Sequence, residues 1–136
     1  MMPRLFRLTI LFACAVSVSA CLPAKQFYWG SYEESLFSRQ QHAGAGREEQ
    51  EQGGEAEAAT MLLATINEAQ ANNGKVGPGI HADYGYLLFK QGKADEAITE
   101  LQKETALYPE SKPLMETMVS RIQGHKEKEK EKKPTP

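Results

Sequence analysis

The residues able to do chemistry are few and far apart. His42, His81 and His125 are the candidates for proton transfer or metal binding, and none sits in an HExxH or HxH spacing. Such a spacing would set two imidazoles side by side to hold a metal. His81 falls on a helix face and reads as part of that face rather than as a ligand. Glu33-Glu34 and Asp95-Glu96 are adjacent acids. Neighbours on a helix point in different directions, so these pairs suit a helix N-terminus better than acid/base catalysis. No serine has the glycine-flanked setting of a nucleophile elbow. "NNGKVGPG", Asn72 to Gly79, has glycines and a lysine but not the phosphate-loop spacing, and reads as a helix stop. The expectation is no catalysis, no metal and no cofactor, which leaves binding.

Binding candidates lie among the aromatics. "QFYWGSYEESLF", Gln26 to Phe37, sets Phe27, Tyr28 and the single Trp29 side by side. Three roles are open for it: a helix packed into the core, an anchor at a membrane interface, or a docking peptide. Tyr32, Leu36 and Phe37 have helical spacing after Gly30-Ser31, which favours a core helix, with Tyr28 and Trp29 in a staple-like contact ahead of it.

The elements that must position these residues are helical. Ala59, Leu62, Leu63, Ile66 and Ala69 recur as one helix face, stopped by Asn72-Asn73-Gly74 and Pro78. Ile80, Tyr84, Leu87 and Leu88 make a second stripe that ends at Gly92. Ala94, Ala97, Ile98 and Leu101 make a third, closed by Pro109. Ser111 offers an N-cap and Pro113 a first turn for a last stripe of Leu114, Met115, Met118, Val119 and Ile122. No β-alternating run appears, so the class is all-α. The Gly/Glu-rich stretch 43–59 reads as a connector whose later part opens a helix. "HKEKEKEKKPTP", His125 to Pro136, has no apolar residue to bury and is expected to be a flexible, disordered tail.

"ADYGYLLFKQGKADEAITELQKETALYP" resembles one tetratricopeptide repeat, a family of 34-residue helix–turn–helix units. Gly85 matches the small residue where the two helices cross, Gly92 the turn glycine, Ala97 the small residue of the second helix, and Pro109 the terminal proline. His81, Leu88, Leu101 and Glu104 depart from the family's preferred residues. The resemblance implies tetratricopeptide-like hairpins, about one and a half to two repeats with a C-terminal capping helix. It also implies a ligand face on the first helix, which places Tyr86, Phe89 and Lys90 there. Two aromatics beside a lysine can grip an extended peptide and its carboxylate.

The first twenty residues have the layout of a signal peptide. Arg4 and Arg7 precede the apolar run Leu8 to Val18, and small residues follow. The run is too short to span a bilayer, which takes ~20 apolar residues. "VSAC", Val18 to Cys21, resembles a bacterial lipobox, which implies cleavage before Cys21 and lipid attachment to its thiol. Leu22 in the next position favours export to the outer membrane. Cleavage would remove Cys14 as well, leaving no thiol for a disulfide. It would shift the formal charge from −2 to −4, which gives no argument for nucleic-acid binding. The division expected is signal peptide 1–20, lipid-attached linker 21–27, helical domain 28–124 and tail 125–136.

Lipobox, "YWGSYEESLF", a Glu-rich helix and the repeat-like segment together resemble a family of small Gram-negative outer-membrane lipoproteins, catalogued as a domain of unknown function. Members are often encoded beside a lipoprotein similar to the curli secretion channel. The resemblance implies palmitate on Cys21, the periplasmic face of the outer membrane, and an envelope-protein partner, with that channel-like lipoprotein as a candidate. The expected function is a scaffold or accessory subunit of an envelope complex. The alternative is a peptidoglycan-associated or cell-wall-enzyme regulatory lipoprotein.

Overall fold

A computed structural model describes residues 27–43 and 48–132. The expected signal peptide, Cys21 and most of its linker lie outside the described residues, as do 44–47 of the connector and 133–136. Five helices follow one another: α1 (Tyr32–His42), α2 (Glu48–Ala71), α3 (Ile80–Lys90), α4 (Ala94–Leu107) and α5 (Lys112–Lys132), with a 3₁₀ turn (Pro109–Ser111) before α5. Among the described residues there is no strand, only a single bridge between Tyr28 and Val76. The all-α expectation holds. Each helix packs on the next in chain order, so the fold is a stack of two hairpins closed by α5.

The α3–α4 hairpin is built on aliphatic contact. Ile80, Leu87, Ala97 and Leu101 have no exposed surface, and Leu88 almost none. Gly92 turns the chain with φ +79°, a conformation that costs a glycine little. Gly85 lets the helices touch: a Cβ there would stand 3.0 Å from the Ala97 carbonyl oxygen and 3.3 Å from Leu101 Cγ. Backbone yields less readily than a side chain, so a larger residue here would press the two helices apart.

The α1–α2 hairpin is built differently. Its apolar residues were expected to face the core, yet Leu36 and Phe37 are exposed and Ser35 and Ser38 are buried. The serines are small, so α1 lies close to α2, and their hydroxyls are satisfied. Ser35 donates to the Tyr32 carbonyl and Ser38 to Glu57, at 2.7 and 2.6 Å. Gly54, inside α2, lies against the His42 ring, where a Cβ would be 2.8 Å from ring atoms. Thr65 is buried where Leu63 was expected to be; Leu63 is 40% exposed. Thr65 accepts the Ser31 N–H and fills the space left by Gly30. Arg39 reaches across to α3 and donates two bonds to Asp83, at 3.2 and 2.7 Å.

The segment before α1 straps this hairpin to the α2–α3 loop. Tyr28 N–H donates to Lys75 O and Gly77 N–H donates to Tyr28 O. The Trp29 ring lies directly on Gly77, where any Cβ would collide at 2.6 Å. Phe27 meets Tyr108 edge-on. Of the three roles open for this cluster, the geometry is that of an intramolecular strap, with 41% of Trp29 left exposed.

The last helix starts where expected, with Ser111 directly before α5 at Lys112, although the Ser111 hydroxyl donates back to the Tyr108 carbonyl of the 3₁₀ turn. Its end is corrected. Residues 125–132 were expected to be disordered, yet α5 continues to Lys132. Lys and Glu are strong helix formers and need only propagate a helix already nucleated. Lys126 pairs with Asp95 and the His125 ring meets Phe89, so α4 and α3 both hold this extension.

Candidate functional site

The predicted binding residues lie on the side of α3 that faces α5. Tyr86 and Phe89 line a 210 Å³ recess with Met118, Arg121 and Ile122. Phe89 and Lys90 line an adjoining one with Ile122, His125 and Lys126. The two share Phe89 and Ile122, so they form one groove between α3 and α5. Its floor is apolar. Phe89 is partly buried against the core, whereas Tyr86 is 43% exposed and free to meet a ligand.

Lys90 stands differently from the expectation. Its ammonium pairs with Glu55 on α2, and that hydrogen bond raises its pKa above the ordinary lysine value. A lysine matched in this way is a weak receptor for another carboxylate. Arg121, exposed on the facing wall, makes no ion pair among the described residues. Its guanidinium can take a carboxylate through two parallel bonds. Sequence reasoning missed His125 and Lys126 because the helix was expected to end before its charged continuation, and Arg121 because only tertiary packing sets it opposite Tyr86. The signal was there in the regular step from Met118 to Ile122 and on to His125.

The repeat-packing residues have structural positions. Gly85 and Ala97 form the α3–α4 crossing, Gly92 the turn, and Pro109 opens the 3₁₀ turn. The two polar departures in the repeat-like segment are both buried. His81 Nδ1 is 2.7 Å from Glu100, and Glu104 accepts the Gly79 N–H at 2.7 Å. Burial opposes ionisation of Glu100, but hydrogen bonds from His81 and Lys103 outweigh it and hold its pKa below the usual carboxylate value. His81 therefore belongs to the interior, not to an outer helix face.

Among the described residues, no group of three His, Cys, Asp or Glu could hold a metal ion, and no helix is long and apolar enough to cross a membrane. One protein-family model, a domain of unknown function named DUF4810, matches residues 26–118. The chain belongs to the DUF4810 family. The DUF4810 match takes in the strap, both hairpins and the start of α5, including Tyr86, Phe89 and Lys90. Arg121, Ile122, His125 and Lys126 lie beyond it, so one wall of the groove is outside the matched segment. No curated protein and no solved structure matches the chain.

Proposed function

We propose that this DUF4810 protein is a lipid-anchored scaffold, without catalysis, at the periplasmic face of the outer membrane. Cys21 carries the lipid. The two hairpins act as tetratricopeptide-like repeats, and the α3–α5 groove holds an extended segment of an envelope protein. A lipoprotein similar to the curli secretion channel is the first candidate for that partner. The observation that carries the reading is the groove itself. It has an exposed aromatic, Tyr86, over an apolar floor, and on the wall a guanidinium, Arg121, that makes no ion pair among the described residues. An extended peptide with an apolar side chain next to a carboxylate fits those groups. The signal-peptide layout and the cysteine after it support the anchor. The strap at Phe27 keeps the domain within ~20 Å of that cysteine, since six residues reach no further.

Co-purification of the full-length protein from detergent extract tests the groove. Tyr86→Ala and Arg121→Glu should each lower partner recovery about fivefold or more, as central contacts do. Their far-ultraviolet spectra should be unchanged. Undiminished recovery would overturn the groove reading, and so would binding only to purified peptidoglycan that both variants retain. Cys21→Ser should leave the protein out of the membrane fraction; continued sedimentation with membranes would overturn the anchor.

A further inference from the structure

The strap, the end of α2, the start of α3, the end of α4 and the start of α5 meet at one edge of the stack. Lys75 donates to the Leu107 carbonyl at 3.3 Å, Tyr108 donates to the Val76 carbonyl, and Phe27 packs on Tyr108, so these segments touch. Seven large apolar residues are exposed among the described residues, and three of them, Trp29, Leu107 and Leu114, belong to this edge. The other four lie along the sides of α1, α2 and α3. Pro78, Pro109 and Pro113 are exposed at the same edge. Its charges are sparse: the strap, its two neighbouring connections and the first residue of α5 carry Lys75, Glu110 and Lys112. The opposite edge, where α3 ends and α4 begins, carries Lys90, Lys93, Asp95, Glu96 and Lys126 and none of the exposed large apolar residues.

We propose that the strap edge lies on the phospholipid surface, with the Trp29 ring at headgroup level and Leu107 and Leu114 beside it. This rests on the lipid at Cys21 and fixes which side of the domain that lipid draws down. Phe27 follows Cys21 by six residues, a span of at most ~20 Å, and it is part of this edge. α4, with 14 residues, is ~21 Å long, so the charged edge stands that much further away. An indole has an apolar body and a polar N–H, which suits the layer between water and hydrocarbon. A lysine beside it keeps its ammonium among the headgroups while its stem covers apolar surface. Two bases against one acid match zwitterionic and weakly anionic headgroups. The helices then stand on end, and the α3–α5 groove opens sideways, with His125 and Lys126 at the end away from the bilayer.

Trp29 is the single tryptophan and serves as its own probe. Full-length lipidated protein is reconstituted into vesicles of phosphatidylethanolamine and phosphatidylglycerol. The vesicles contain lipids brominated either near the glycerol or at the chain end, which quench indole fluorescence on contact. Trp29 should be quenched, and more strongly by bromine near the headgroup. Leu107→Glu combined with Leu114→Glu, both at exposed positions, should still float with the vesicles but lose most of the quenching. Phe37→Ser, on the side of α1, should leave quenching as it is. Wild-type protein that floats without quenching would overturn the orientation and leave the anchor standing, whereas failure to float would overturn both. Undiminished quenching in the double variant would also overturn the orientation. So would a blue shift of emission that grows with protein density while bromine has no effect, which would give this edge to a second copy of the chain.

Discussion

The α3–α4 hairpin and the α1–α2 hairpin use opposite means to bring two helices together. In the second hairpin, Gly85 clears a crossing and Leu88, Ala97 and Leu101 fill it with hydrocarbon. In the first, α1 offers Ser35 and Ser38 to α2 and turns Leu36 and Phe37 outward. Its position is set by directional bonds: Ser38 to Glu57, Ser31 to Thr65, Arg39 to Asp83, and the strap at Tyr28. Hydrocarbon burial is proportional to area and tolerant of orientation, whereas hydrogen bonds contribute little net energy but fix geometry. The second hairpin and the Leu62–Ile66 face of α2 therefore share one hydrocarbon core, and α1 is an attachment to it oriented by polar contacts.

That contrast breaks first at Leu101. Leu101→Ala deletes side-chain atoms with no exposed surface, at the α3–α4 crossing, and should cost about 2–5 kcal/mol. Thermal melting with chemical denaturation reads it. A loss below about 1 kcal/mol would mean that the crossing collapses around the gap and that the hairpin is not tightly packed. The counterpart in the first hairpin is an addition. Ser35 is fully buried, and Ser35→Leu puts a branched side chain where α1 and α2 nearly touch. It should destabilise by about 1–3 kcal/mol through overpacking. If it stabilised the protein, the α1–α2 contact would be loose, and the serines would be there for want of a better residue.

The same contrast explains what could be read from the sequence. The α3 stripe of Ile80, Tyr84, Leu87 and Leu88 is buried as its spacing indicates. So are Ala97 and Leu101, because an aliphatic face at helical period has one favourable destination. In α1 the period rule pointed to Tyr32, Leu36 and Phe37, of which only Tyr32 packs against the core. A pair of serines scores as polar, although close approach with local hydroxyl bonding makes it a packing surface. His81 and Glu100 escaped for a related reason: each alone reads as solvated, and only tertiary contact pairs them. The groove was half legible. Tyr86, Phe89 and Lys90 came from one helix, but the opposite wall needs α5 to pack against α3, and its far end, His125 and Lys126, needs α5 to outlast its apolar stripe.

Phe37 gives the smallest effect and the finest test of the comparison. It is 61% exposed on α1, on the side turned away from the serine face. Most of its ring is already in water in the folded chain, so removing it forfeits little transfer free energy. Phe37→Ser should change stability by no more than about 0.5 kcal/mol. The equivalent truncation in the other hairpin, at Leu101, is expected to cost several times more. The ratio of the two, measured in one buffer, is the quantity that separates an oriented attachment from a second core. A loss at Phe37 approaching that at Leu101 would mean that α1 rolls about its axis in solution and presents its apolar face to α2. The Ser38–Glu57 and Arg39–Asp83 bonds, both fixed in direction, would then have to break, and the orienting role given to them would be lost.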